Sequence, residues 1–124
     1  DVEGLPAEQQ LMIGIEAFVD LCAKDPDLHR LMTLEGRSKS DRLTWLVDTH
    51  LRRFFEPARE LILAGQKTGE IRMGDPTMLY YSIIAIAGSM YSFQPEMALL
   101  DPNNKAQDRD QVVQLIRSFL LVET

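Results

Sequence analysis

Cysteine occurs once and histidine twice in the 124 residues. One thiol, Cys22, excludes an internal disulfide framework and a multi-cysteine zinc site. Such sparing use of cysteine suits a reducing cytoplasm, where we expect the protein to reside. Positive charge is also short, with 13 Lys and Arg against 19 Asp and Glu and a net charge of −6. Nucleic acid is held chiefly by Lys and Arg on phosphates, so these residues make a poor nucleic-acid binder by themselves. Long hydrophobic runs are missing. The most apolar stretch, 79–93, is too short for a bilayer and carries Ser82, Ser89 and Ser92. No basic-then-apolar leader opens the chain, and no membrane partner is expected. No run alternates apolar and polar residues long enough to read as a strand, and no internal repeat is present. The first residue is not Met, which suggests a piece of a longer chain.

Hydrophobic residues make up 45% and charged residues 26% of the sequence, the composition of an ordinary folded domain. At this length one domain can bury its core without disulfide or metal support. Proline and glycine divide the chain into helical stretches. The first helix is predicted over 6–24, with Leu11, Ile15, Phe18, Val19 and Cys22 on one face. Asp25 as N-cap and Pro26 as first residue predict a short helix to Leu34, with Leu28, Leu31 and Met32 inward. A long helix is expected from Ser40 to Lys67, striped by Leu43, Val47, His50, Phe54, Ala58, Leu61 and Gly65. Leu46, Leu51 and Ile62 widen that stripe. Pro57 predicts a kink near Phe54, or two shorter helices meeting there. Trp45 lies opposite the stripe and needs a second surface.

A turn-rich link, 68–74, leads to a helix capped by Asp75 with Pro76 first, running to about Phe93. It is apolar nearly all round, which predicts burial all round. Ser82, Ala85, Ser89 and Ser92 form a stripe of small residues that suits close approach of a partner subunit. A short helix or turn spans 95–100, a polar loop 101–107, and a last helix 108–122. Val112, Leu115, Ile116 and Phe119 form the apolar face of that helix, extended by Val113 and Leu120.

Catalytic chemistry is hard to assemble. Neither His29 nor His50 stands beside a second soft ligand at metal spacing, so no metal site is predicted. Cys22 with His50 reads as a buried thiol and an unrelated polar residue, and Asp25 with Asp27 as helix-start residues rather than an acid–base pair. No phosphate-cradling glycine loop or cofactor motif is present. We therefore expect no enzyme and no cofactor. Met12, Phe18, Met32, Trp45, Phe54, Phe55, Tyr80, Tyr81 and Met90 are large or pliable residues spread over four helices, with Thr49, His50 and Ser82 among them. Helical ligand cavities are lined this way, and so is a plain hydrophobic core.

The order of several segments carries a resemblance. Asp25-Pro26-Asp27-Leu28-His29-Arg30-Leu31 precedes the long helix. Then come Leu63-Ala64-Gly65-Gln66-Lys67-Thr68-Gly69-Glu70-Ile71-Arg72 and Gly74-Asp75-Pro76, and later Pro95-Glu96-Met97 and Asp101-Pro102. Together they resemble the C-terminal regulatory domain of TetR-family transcriptional repressors over nearly the whole chain. The pattern Gly-x-x-x-Gly-x-Ile-Arg-x-x-Asp-Pro is the most telling part. The resemblance implies an all-α helical bundle whose last two long helices pair with those of a second subunit in a four-helix bundle. It implies a homodimer and a small-molecule effector, whose binding shifts the dimer between geometries that do and do not fit operator DNA. The family's helix-turn-helix is absent, so operator contact is expected only through an N-terminal domain outside this chain. Residues 1–5 then read as a linker and 6–124 as the effector-binding and dimerisation domain.

Pocket residues do not transfer by motif, and helix faces place them instead. The effector, expected to be largely apolar or aromatic, is assigned Met12, Phe18, Met32, Trp45, Thr49, His50, Phe54, Tyr80, Tyr81 and Ile84. The dimer interface is assigned Ser82, Ala85, Ile86, Ser89, Met90, Val112, Leu115, Ile116 and Phe119. A stand-alone helical carrier of a hydrophobic ligand, or a protein-interaction adaptor using the 79–90 surface, are the alternatives.

Overall fold

The computed structural model describes residues 2–37, 39–104 and 108–122. Its helices are α1 (Ala7–Lys24), α2 (Asp27–Glu35), α3 (Asp41–Leu46), α4 (Arg52–Thr68), α5 (Pro76–Ser92), α6 (Gln94–Leu100) and α7 (Arg109–Leu120). A 3-10 turn, Val2–Gly4, precedes α1, and a π-helical turn, Val47–Leu51, joins α3 to α4. The architecture is all-α, as expected.

Helix α1 is the central post, packed by α4, α5 and α7. Its face Leu11, Met12, Ile15, Val19 and Cys22 is buried, and Ile62, Ile83, Ala87, Ile116 and Leu120 close the core around it. Arg109 adds a polar tie between α1 and α7. Its Nε donates to Asp20 Oδ1 at 2.7 Å and its Nη2 lies 3.1 Å from Glu16 Oε1. The guanidinium holds the Asp20 carboxyl below the usual carboxylate range.

Asp75 and Asp108 cap α5 and α7 through their side chains, accepting from Met78 N at 3.3 Å and Asp110 N at 3.0 Å. Asp25 does not cap α2. Pro26 occupies the N-cap position in a helical conformation with no side-chain hydrogen bond, and Asp25 ends α1 instead, its N–H donating to Leu21 O. Helix α2 has no buried residue, and Leu31, expected inward, is exposed.

The expected long helix is interrupted earlier than its proline. The π turn takes one extra residue, which rotates the inward stripe by about a quarter turn. Leu43, Leu46 and Val47 are partly buried before the break, and Leu51, Phe55, Ala58, Ile62 and Gly65 are partly or fully buried after it. His50 and Phe54, placed on the stripe by uninterrupted periodicity, end up exposed. Pro57 lies inside α4.

The pattern from Gly65 to Pro76 is a corner with a reason for each residue. Gly65 has no side chain, and Ile71, fully buried, fills the space a Cβ would take. Gly69 ends α4 in the left-handed region (φ 83°), a conformation glycine adopts freely. Glu70 N and Ile71 N both donate to Gly65 O, at 2.9 and 3.0 Å. Gln66 Nε2 donates to Arg72 O and Gly74 O. The chain end is stitched to this corner, a link the sequence did not announce. Arg72 N donates to Leu120 O at 2.9 Å, Val122 N donates to Glu70 O at 3.0 Å, and Ile71 bridges antiparallel to Leu121.

Candidate functional site

On α5, Tyr80, Ile84 and Gly88 follow one another at intervals of four and share one side of the helix. Helix α4 meets this line at one end. Phe55 stands edge-on to Tyr80, with ring centroids 5.1 Å apart and an interplanar angle of 84°. Helix α2 meets it at the other end. Gly88 leaves room that the His29 ring occupies, and a Cβ there would collide with that ring. His29 Nδ1 lies 3.3 Å from Ser92 Oγ, and Arg30 Nη2 donates to Ser92 O at 3.4 Å. Helices α2 and α4 thus each rest on α5, and partly buried Ile84 lies between their footholds.

Helix α3 and the π turn connect α2 to α4 and pack chiefly on their neighbours in sequence. Trp45 is 57% exposed and stands edge-on to His50 at 5.3 Å. An i,i+5 pair shares a face only where the helix carries an extra residue per turn, so the π turn creates this contact. Burial, with Tyr81 alongside, pushes the Tyr80 hydroxyl above its ordinary pKa. It therefore remains a neutral O–H at physiological pH, able to donate to or accept from a bound group.

Tyr80 and Ile84 share the line described above, whereas Tyr81, also assigned to the pocket, lies exposed beside it, its ring 5.3 Å from that of Tyr80 at 84°. Met32 is partly buried on α2. Met12 is not available to a ligand, because it is packed in the core beneath α1. Phe18 packs against the same core. Thr49 is exposed in the π turn, and Phe54 is 60% exposed with the Arg53 guanidinium 5.0 Å above its ring. Phe55 takes the inward place assigned to Phe54, for the reason of register given above. His29 was not assigned a role from sequence. Its only trace there is Gly88, a small residue among large ones on the α5 line.

The side of α5 away from α1 is uncovered. Met78 (69% exposed), Tyr81 (56%) and Ala85 lie open, with Ser82 and Ser89 half-buried beside them. Leu115 of α7 is also exposed. Ile86, Met90 and Phe119 pack against the core, and Arg72 covers the Phe119 ring at 4.8 Å. Val112 and Ile116, expected at the dimer face, are buried in the chain's own core, where α7 packs on α1 and α5.

An open recess of about 660 Å³ runs along α4, bordered by Arg52, Phe55, Glu56, Arg59 and their neighbours. All its walls come from one helix, so it does not enclose a ligand. Among the described residues no group of three His, Cys, Asp or Glu side chains is placed to hold a metal ion, and no helix is long and apolar enough to cross a membrane. The family model described as "Tetracyclin repressor-like, C-terminal domain" matches residues 8–116. No curated protein matches the chain, and no solved structure does.

Proposed function

The chain belongs to the tetracyclin repressor-like C-terminal domain family, and from that premise we propose that it senses a small-molecule effector and forms a homodimer. A helix-turn-helix domain outside these residues would make the operator contact of a repressor in the cytoplasm. The observation that carries this reading is the two-sided character of α5. One side is a line of Tyr80, Ile84 and Gly88 flanked by Phe55 and His29. The other is an uncovered apolar side containing Met78, Tyr81 and Ala85.

The effector site lies over Ile84, between α2 and α4, with Trp45, Thr49 and His50 on the adjoining connection and Met32 at its α2 edge. Ile84, Met32 and the rings of Phe55, Tyr80 and Trp45 would give it an apolar and aromatic lining, which suits an apolar or aromatic molecule oriented by the Tyr80 hydroxyl, the His29 ring or the exposed Thr49 and His50. The dimer face comprises Ser82, Ala85 and Ser89 of α5 and Leu115 of α7, rimmed by Met78 and Tyr81.

Sedimentation equilibrium tests the dimer. Wild-type chain should be dimeric at micromolar concentration, and Ser89→Arg should be monomeric, since an unpaired charge would be buried at the contact. Fluorescence titration with 1-anilinonaphthalene-8-sulfonate, an aromatic anion, tests the site. Tyr80→Ala and Ile84→Asp should weaken its binding about tenfold, a loss of about 1.4 kcal/mol. Unchanged affinity in both variants would overturn the site assignment.

A further inference from the structure

Resting on that reading, we propose that the edge-to-face series of the Phe55, Tyr80 and Tyr81 rings couples the effector site to the dimer face. The ring of Tyr80 is held edge-on by Phe55 on one side, at 5.1 Å and 84°, and by Tyr81 on the other, at 5.3 Å and 84°. Successive residues on a helix point about 100° apart. Tyr80 therefore turns towards α4 and is partly buried, while Tyr81 is brought round to the uncovered side of α5. There Tyr81 shares a side with Met78 and Ala85, three residues before it and four after, both exposed.

Each edge-to-face contact defines a preferred position for both of its rings. A ligand over Ile84 that displaces Phe55 or tilts Tyr80 changes the position in which Tyr81 is held. Tyr81 is the one large aromatic residue on the uncovered side of α5, so a second copy covering that side meets the altered ring. The coupling is reciprocal. The factor by which each bound effector changes the dimer affinity is the factor by which dimerisation changes the affinity for that effector.

Phe55 does not lie on the uncovered side of α5, which makes it the informative residue. The experiment measures the dimer dissociation constant by sedimentation equilibrium for wild type, Phe55→Ala, Tyr81→Ala and the double variant, without any ligand. Phe55→Ala should shift the constant about fivefold or more in the wild-type background, the lower end of typical site-to-site coupling. In the Tyr81→Ala background the same substitution should shift it less than about twofold, because the chain of rings is already cut. Leu61→Ala, also a partly buried residue of α4 but outside the ring series, should leave the constant within about twofold.

Phe55→Leu keeps the apolar volume, removes the ring and should act in the same direction as Phe55→Ala, which guards against a variant that fails to fold. Equal shifts from Phe55→Ala in both backgrounds, a shift matched by Leu61→Ala, or no shift at all would each overturn the coupling while leaving the dimer intact. A wild-type chain that is monomeric at every concentration would overturn the dimer reading and the coupling with it.

Discussion

Replacing Gly65 with alanine sets two opposed effects against each other. In a helix interior alanine is favoured over glycine by about 1 kcal/mol, and Gly65 lies inside α4. A Cβ there, however, would run into the Ile71 side chain. Two of the three nearest atoms, Cγ1 and Cδ1, belong to the outer part of the side chain and can swing aside. The third is the Ile71 Cβ, 3.1 Å away, and it moves only with the backbone. That backbone is pinned by Ile71 N donating to Gly65 O and by the bridge to Leu121. Overpacking of this kind costs about 2–3 kcal/mol. The net expectation is a loss of about 1–2 kcal/mol, or about 4–8 °C in the unfolding midpoint for a chain of this size.

Gly14 provides the counterpart. It lies in α1 with nothing within 4 Å of the Cβ position, so Gly14→Ala should gain about 1 kcal/mol from propensity alone. Urea unfolding followed by circular dichroism, at one fixed protomer concentration, separates the two cases. A Gly65→Ala variant as stable as wild type, or more so, would refute the account of the corner. A shift of the same sign in both variants would show that propensity, not the Ile71 contact, governs the position.

Gly88→Ala should lower the thermal midpoint by displacing His29 from α5, at a cost of about 1–3 kcal/mol. His29→Ala in that background should restore part of the loss. Asp20→Asn should flatten the acid limb of the stability profile: a carboxyl whose folded pKa is depressed contributes above its unfolded value near 3.8 and loses that contribution as pH falls through the folded one. Unfolding midpoints between pH 2 and 5 measure this. Burial pushes the Cys22 thiol up to about 11. Native chain should therefore resist iodoacetamide at pH 7.5, while urea-unfolded chain reacts readily, as mass spectrometry would show. Any thiol contribution to stability is complete below pH 9 and declines as pH rises towards 11.

Helix order was legible because proline, glycine and capping aspartates mark it directly: Asp75-Pro76 and Asp108 begin helices where expected. The α1 stripe was legible because its periodicity is uninterrupted from Leu11 to Cys22. The inward face of the third helical stretch was not. One extra residue in the π turn leaves no mark in composition yet exchanges Phe54 for Phe55 at the site. Val112 and Ile116 were misplaced because an apolar helix face declares that it is covered without saying by what. The α2 foothold on Gly88 was hidden for another reason. A missing side chain shows as a small residue in the sequence, and only the fold shows which ring fills the space.

The main-chain pairing of residues 70–72 with 120–122 has a mechanical consequence. Side-chain packing lets two helices slide past each other by small steps, whereas backbone hydrogen bonds define a fixed register. Helix α7 ends on that pairing, and α5 starts four residues after it. The pairing therefore closes 70–122 into a loop clamped at its base. Helices α5 and α7 pack on each other within this loop, and the pairing sets their register at one end. A force on either helix is therefore carried to the other through the main chain at that end, as well as through their packed side chains.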